Sequence, residues 1–187
     1  MSLRKTNPKE EYTYEEWLEL DNNEDTELID GIVYYMWDGI QGGPSRRHMD
    51  VVRELVSELL SFLKGKQCKL YFQPFIVKLG KKTTVRPDIT VVCDKDKLDD
   101  GGCAGAPDLI IEVLSPSNAG TDLFTKRAKY LLAGVKEYWI LDPINNNVRV
   151  YLLDEKEYHE HNYYDKDIIP VTVLPGCEMD LSVIFAK

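Results

Sequence analysis

The strings V-R-P-D-I-T-V-V at residues 85–92 and D-L-I-I-E-V-L at residues 108–114 carry the strongest fold signal in this chain. Both are rich in β-branched and aliphatic residues, which is typical of strands that are buried on both faces of a sheet. Each string also contains one notable carboxylate, Asp88 or Glu112. Because an unpaired charge in an apolar strand is costly, both carboxylates are expected to have a functional or a paired role.

The two carboxylates are expected to lie close together if their strands pair. Side chains alternate along a strand, so Glu112 shares a face with Ile110 and Leu114. Side chains directly opposite each other on paired strands are roughly 5 Å apart, which lets two carboxylates hold one divalent ion. Asp108 belongs to a second Pro-Asp pair but lies about 13 Å along the strand from Glu112. We therefore interpret Asp108 as a residue that begins the strand and not as a ligand of the same ion.

A pair of carboxylates on adjacent strands is suited to the hydrolysis of phosphodiesters. The reaction needs a hydroxide near neutral pH and a counter-charge for the phosphorane, and Mg²⁺ or Mn²⁺ can supply both. The backbone carbonyl of Val113 is a candidate further ligand. Such sites usually carry a lysine that orients the water, but Leu114 stands at that position. The structural alternative is that Asp88 and Glu112 are satisfied by Arg86 or by backbone amides.

The rest of the chain predicts an α/β or α+β fold with helices flanking a sheet and with additional β-hairpins. A capping box at Thr13 predicts a short helix over residues 13–20, and Asp30-Gly31 predicts a hairpin. Apolar residues at helical spacing predict a helix from Ser45 to Leu63, and Gly134 is expected to end another over residues 122–133. Strands are predicted at residues 70–79, 84–92, 108–114, 136–141 and 148–153, and an acidic, glycine-containing loop is predicted at residues 94–106.

Composition indicates one globular domain, because 187 residues with 43% hydrophobic content can form a single core. No apolar run approaches the length of about 20 residues that a membrane span needs. The polar start of the chain lacks a signal-peptide core, so we expect a cytoplasmic location. The four cysteines are widely spaced and are expected to be reduced thiols.

The net charge of −9 argues against a simple DNA-binding module. The charge is unevenly distributed, however, because residues 44–53 and 121–136 are rich in basic side chains. A locally basic cleft therefore remains compatible with the acidic net charge.

Six strings occur in one order within residues 13 to about 153: T-Y-E-E-W, T-E-L-I-D-G, P-S-R-R-H, V-R-P-D-I-T-V-V, A-P-D-L-I-I-E-V-L-S-P-S and A-G-V-K-E-Y-W-I-L-D-P. Together they resemble the Uma-type restriction endonucleases, a branch of the PD-(D/E)XK nuclease superfamily. The resemblance implies a restriction-endonuclease-like fold with a central mixed sheet and Mg²⁺-dependent cleavage of DNA. We expect one domain over residues 1–187, with a core at about 13–153 and a C-terminal β extension over 154–187.

The resemblance also assigns roles to residues of this chain. Asp88 and Glu112 take the metal positions, and Lys126 matches the family's lysine in the D-x-x-x-K segment of the helix after the Glu112 strand. The flexible side chain of Lys126 can return its ammonium group to the site. Lys129, one helical turn further on, is the competing lysine.

Glu27 and His48 are auxiliary candidates. Glu27 opens the E-L-I-D-G hairpin and matches a family glutamate, which the resemblance implies as an extra acid of the metal site; its structural alternative is a surface charge at a strand edge. His48, one of three histidines, follows Arg46-Arg47 and is a candidate phosphate ligand or auxiliary base. The alternative for His48 is a structural hydrogen bond at a helix end.

The sequence thus predicts a metal-dependent DNA nuclease, which we expect to be a homodimer because cleavage of both strands needs two sites. The competing hypothesis is a catalytically inactive accessory protein that keeps the fold and binds nucleic acid or a partner. The displaced lysine and the acidic net charge favour that alternative. A third possibility is a metal-dependent phosphoesterase that acts on a small nucleotide.

Overall fold

A computed structural model describes residues 11–20, 26–36, 44–114 and 121–186, except for the side chains of residues 121–124. Within these ranges the protein is a mixed α+β structure. No helix in the described ranges is both long and apolar enough to cross a membrane. The helices are α1 (Tyr14–Leu18), α2 (Arg46–Leu63), α3 (Thr121–Ala133) and α4 (Leu181–Ile184), with a 3₁₀ turn at Lys95–Lys97.

The central sheet has six strands and mixed direction. Its strands are β3 (Lys69–Phe72), β6 (Ile89–Val92), β9 (Leu109–Val113), β10 (Glu137–Asp142), β11 (Asn147–Asp154) and β12 (Glu157–Tyr164). They are arranged in the order β12-β11-β10-β9-β6-β3, in which β9 and β10 are parallel and the other neighbours are antiparallel. Asp88 immediately precedes β6, and Glu112 lies on the neighbouring strand β9, so the two segments are adjacent as predicted.

The structure also contains a second six-stranded sheet, here called the hairpin sheet, which the sequence did not predict as one sheet. Its strands are β1 (Thr26–Ile29), β2 (Ile32–Tyr35), β4 (Val77–Gly80), β5 (Thr83–Val85), β7 (Leu98–Asp99) and β8 (Gly102–Ala104), in the order β2-β1-β5-β4-β8-β7. A small two-stranded sheet contains β13 (Ile168–Pro170) and β14 (Glu178–Asp180).

Two runs that are predicted as single strands each divide between the two large sheets. The first run contributes β3 to the central sheet and β4 to the hairpin sheet, with Pro74 between them. The second contributes β5 to the hairpin sheet and β6 to the central sheet, with Pro87 between them. Proline has no backbone N–H and cannot continue a hydrogen-bonded ladder. Asp88 consequently lies where the chain crosses from one sheet to the other.

The two faces of the central sheet have separate cores. On one face, Ile89 and Ile111 pack in a cluster with residues of α2 and α4. On the other face, Ile110 and Tyr138 pack in a cluster with Tyr130 of α3 and with residues of the hairpin sheet. The alternation follows from the two-residue period of a strand, and it directs Glu112 toward α3.

The local start and stop signals are confirmed. Thr13 forms the predicted capping box with Glu16, and the Ser45 side chain caps α2. Gly134 ends α3 with φ of +87°. Asp30 and Gly31 both have positive φ, as a tight hairpin turn requires, and Glu11 lies too close to Gly31 for a Cβ to fit there.

The expectation of reduced thiols is wrong for two of the four cysteines. Cys68 and Cys93 form a disulfide, whereas Cys103 and Cys177 are free and buried. The antiparallel pairing of β3 with β6 places Lys69 opposite Val92, so the adjacent cysteines meet. Their separation of 25 residues in the sequence does not reveal this pairing.

Candidate functional site

Side chains from both large sheets, α2 and α3 converge around Asp88 and Glu112. Ile89 of β6 pairs with Ile111 of β9, so the register places Asp88 opposite Glu112 just beyond the last ladder pair. The two residues are only 5% and 8% exposed. The pairing that the sequence analysis required is therefore present.

Asp88 is held by one backbone amide and one histidine. The Val113 amide donates to Asp88 Oδ2 at 2.7 Å, and His48 Nε2 lies 3.3 Å from Asp88 Oδ1. Nδ1 of His48 is buried and has no hydrogen-bond partner among the described residues. Burial opposes protonation of His48, but its hydrogen bond to Asp88, the Asp88 charge and the nearby Glu112 charge outweigh this effect and raise its pKa.

The ammonium group of Lys126 reaches the carboxylates from α3. Lys126 Nζ lies 2.9 Å and 2.8 Å from the two carboxylate oxygens of Glu27, and 3.3 Å from Glu112 Oε1. Burial disfavours the charged ammonium, but the charges of Glu112 and Glu27 outweigh it and raise the pKa of Lys126. A lysine is thus present beside Glu112 although Leu114 occupies the usual position.

Glu27 is a buried residue of the site and not a surface charge. It lies on β1 with 2% exposure, and its Oε1 accepts a hydrogen bond from the Arg86 amide at 2.8 Å. Because Lys126 contacts Glu27 and Glu112, it links the hairpin sheet to the central sheet.

Tyr130 is a residue of the site that the sequence analysis missed. Its hydroxyl donates to Glu112 Oε1 at 2.8 Å, and the residue is fully buried. Tyr130 follows Lys126 by four residues, so the two side chains lie on one face of α3. This spacing was the available signal, but a tyrosine on an apolar helix face also fits simple core packing.

The electrostatics of Glu112 follow from its crowded surroundings. Burial raises its pKa most, and the charges of Asp88 and Glu27 raise it further, against the opposing effects of Lys126 and Tyr130; the result is a pKa of about 7. Burial beside Glu112 also raises the pKa of Tyr130 well above its ordinary value, so its hydroxyl is a hydrogen-bond donor.

The two competing residues bind elsewhere. Lys129 Nζ lies 2.6 Å from Asp30 Oδ2 in the hairpin turn. Asp108 accepts hydrogen bonds from the Cys93 amide and from Lys136 Nζ, both at 2.7 Å. These partners support a structural interpretation of Asp108 at the start of β9.

The donor set fits a magnesium ion that keeps most of its water. Across the described ranges, no group of three or more His, Cys, Asp or Glu side chains is arranged to hold one ion. Mg²⁺, however, is commonly bound by one or two carboxylates together with water and substrate phosphate. The hard oxygens of Asp88 and Glu112 match that mode and not an all-protein cage.

A cavity lined by both basic and acidic side chains lies at the N-terminal end of α2, the helix that carries His48. It has a volume of about 610 Å³ and is lined in part by Arg46, Arg47 and Arg53. Asp50 and Glu54 line the same cavity, so its charge is mixed but carries more positive than negative side chains. The basic residues of the 44–53 segment thus line a cavity, but they share it with acidic side chains that pair with two of the arginines.

Comparison with known proteins identifies the family. The sequence model described as "Uma2: Putative restriction endonuclease" matches residues 11–183. A solved structure described as a putative nuclease from Anabaena variabilis has a TM-score of 0.76, at 22% identity, over 93% of this chain and 97% of that chain. This similarity shows that the two chains share a fold, in agreement with the expected mixed α+β architecture. No functionally curated protein matches the chain. On the family match, which spans nearly the whole sequence, the chain belongs to the Uma2 family of putative restriction endonucleases.

Proposed function

We propose that this protein is a metal-dependent nuclease that hydrolyses phosphodiester bonds in DNA. One observation carries the proposal: Lys126 Nζ lies 3.3 Å from Glu112, which stands opposite Asp88 in the strand register. Two carboxylates and one ammonium are the charged groups of a PD-(D/E)XK-type site, and here the ammonium comes from α3. Membership of a restriction endonuclease family supports DNA as the substrate.

In this proposal Asp88, Glu112 and the backbone carbonyl of Val113 would hold Mg²⁺, or Mn²⁺ in its place. The bound ion would lower the pKa of a water molecule and offset negative charge on the phosphate. His48 and the Val113 amide keep the Asp88 carboxylate in one orientation.

Lys126 is assigned as a hydrogen-bond donor and counter-charge for the phosphate. The carboxylate of Glu27, with both oxygens within 2.9 Å of Nζ, favours the charged ammonium form. A charged ammonium cannot accept a proton from water, but it stabilises the negative charge that develops as the water oxygen attacks phosphorus. Glu27 in this scheme positions Lys126 and has no direct part in the bond cleavage.

A cleavage assay with Asp88→Asn and Asp108→Asn tests the proposal. We expect the wild-type chain to cut plasmid DNA with Mg²⁺ or Mn²⁺ and not with excess EDTA. Asp88→Asn should reduce the rate at least about 100-fold, because it removes a charge that the reaction needs. The matched control, Asp108→Asn, changes the other buried Pro-Asp aspartate and should retain cleavage.

Calorimetry with Mn²⁺ separates the enzyme from its main competitor. Two observations favour the competitor, an accessory protein that keeps the fold. Lys126 is already paired with Glu27, and the net charge of the chain is −9. The nuclease proposal predicts that wild-type protein binds Mn²⁺ and that Asp88→Asn abolishes this binding. If this result is not obtained and the wild-type protein does not cleave DNA, the nuclease proposal is wrong. Homodimer formation and a cytoplasmic location stay predictions from the sequence.

A further inference from the structure

Glu112 Oε1 accepts hydrogen bonds from two donors that lie at different distances. The Tyr130 hydroxyl is 2.8 Å away, whereas Lys126 Nζ is 3.3 Å away. Lys126 lies nearer to Glu27, at 2.8 Å and 2.9 Å from its two oxygens. Tyr130 is therefore the principal donor to Glu112, and Glu27 is the principal partner of Lys126.

The two donors also differ in their freedom to move. Tyr130 is fully buried, and its ring packs edge-on against Tyr138 with 4.9 Å between the ring centroids. The Lys126 side chain keeps 12% exposure and has four rotatable carbon–carbon bonds. The hydroxyl is thus fixed by packing, while the ammonium is able to shift toward a substrate.

We propose that Tyr130 is a positioning residue, which holds the Glu112 carboxylate in place while Lys126 serves the phosphate. This inference rests on the proposed nuclease function. The two donors on one face of α3 then have different roles. The Tyr130 hydroxyl orients the metal ligand Glu112, and the Lys126 ammonium remains available for the substrate. Glu112 keeps its orientation when Lys126 turns toward a phosphate oxygen.

Tyr130→Phe and Tyr138→Phe form a matched pair that tests this role. Each change removes one hydroxyl from a fully buried ring in the same cluster. The Tyr138 hydroxyl has no hydrogen-bond partner in the described parts of the chain, so its removal costs no bond. We expect Tyr130→Phe to weaken Mn²⁺ binding about 10- to 100-fold, as is typical when a residue that orients a metal ligand is lost.

The kinetic readout is the turnover number compared with the Michaelis constant for DNA. Tyr130→Phe should lower kcat in proportion to the fraction of protein that has lost its metal, and a high Mn²⁺ concentration should restore part of kcat. The KM for DNA should change little. Tyr138→Phe should match wild type in all three quantities. When wild type binds Mn²⁺, the inference is overturned if the two variants behave alike, or if Tyr130→Phe binds Mn²⁺ as wild type does.

A crystallographic readout keeps this inference distinct from the proposed function. In metal-free crystals, the Glu112 carboxylate should leave its wild-type orientation in Tyr130→Phe and keep it in Tyr138→Phe. This comparison needs no activity, so a wild-type chain that neither binds Mn²⁺ nor cleaves DNA refutes the nuclease proposal alone. An unchanged Glu112 orientation in Tyr130→Phe refutes the positioning role alone.

Discussion

Leu114 shows why the lysine of this site comes from a helix. It follows Glu112 by two residues on the same strand face, and its side chain packs against the core cluster that contains Tyr130. A lysine at this position would bring its charge into an apolar cluster. Lys126, on the helix that covers the same face, supplies the ammonium group instead, and the charges of Glu27 and Glu112 offset the cost of its burial.

At the residue scale, we predict that Lys126 and not Lys129 is needed for cleavage. Lys126→Met should lower the cleavage rate about 100-fold or more, because the developing negative charge loses its counter-charge. Lys129→Met is the matched control. Lys129 lies one helical turn from Lys126 on α3, and its ammonium binds Asp30 and not the proposed site. Plasmid cleavage with Mn²⁺ present measures both rates.

Removing Lys126 alone leaves Glu27 buried without its partner, which costs about 3–5 kcal/mol. The double variant Glu27→Gln/Lys126→Met removes both charges and separates a folding defect from a catalytic one. If this double variant is folded and cleaves at the wild-type rate, the assignment of Lys126 is wrong.

The residues of the site could be predicted from the sequence to different degrees. Asp88, Glu112 and Lys126 are recognisable because a charge beside an apolar strand, or a family string, marks them. Tyr130 carries no such mark, because buried tyrosines on helices usually serve packing. Only the hydroxyl contact with Glu112 distinguishes Tyr130 from Tyr138, and that contact depends on the tertiary structure.

At the scale of elements, hydrophobic periodicity predicted the long helices and the buried strands but not the change of sheet. Residues 70–79 and 84–92 each read as one strand, because periodicity records which side chains are buried and not which sheet buries them. The short strands β7 and β8 fall in a segment, residues 94–106, that was predicted as a loop. They pair over only two residues, which is too short to give a periodic signal.

Glu137 connects β10 to the C-terminal segment through a buried carboxylate. It is fully buried, accepts a hydrogen bond from Trp139 Nε1 at 2.8 Å, and accepts another from the Val173 amide at 2.9 Å. Burial raises the pKa of Glu137, although hydrogen bonds from Val173, Trp139 and Thr172 oppose the shift. The folded chain therefore binds a proton at this residue more tightly than the unfolded chain does.

We predict that ionisation of the buried Glu137 carboxyl group lowers the free energy of unfolding as the pH rises. The loss begins near the unfolded pKa of about 4.3 and ends once the raised folded pKa is passed. Its slope cannot exceed about 1.4 kcal/mol per pH unit. Urea denaturation of wild type and Glu137→Gln between acidic and neutral pH measures the difference, and Glu157→Gln is the exposed control. A difference that is independent of pH would contradict the prediction.

At the scale of the whole molecule, the acidic net charge and the proposed DNA substrate are compatible because charge is local. The arginines of α2 lie beside the cavity next to the helix turn that carries His48. Phosphate binding depends on the potential near these side chains more than on the total of −9.

We predict that the active species has twice the 21.5 kDa mass of the chain. Cutting both DNA strands in one binding event needs two sites, and each chain has one pair of the proposed ligands. Sedimentation velocity at assay concentrations measures the mass, while the ratio of linear to nicked plasmid measures double-strand cleavage. A monomer that linearises plasmid without releasing a nicked intermediate would contradict the prediction.

The contact between Lys126 and Glu27 joins positions 99 residues apart in the chain. During synthesis, Glu27 is therefore made well before the lysine that completes the charge set, whereas Glu112 precedes that lysine by only 14 residues. Catalytic competence on the proposed mechanism arises only after α3 has been made and has packed against both sheets. On the proposed mechanism, a chain in which α3 is missing or unpacked has no ammonium beside Glu112, and we expect it not to cleave DNA.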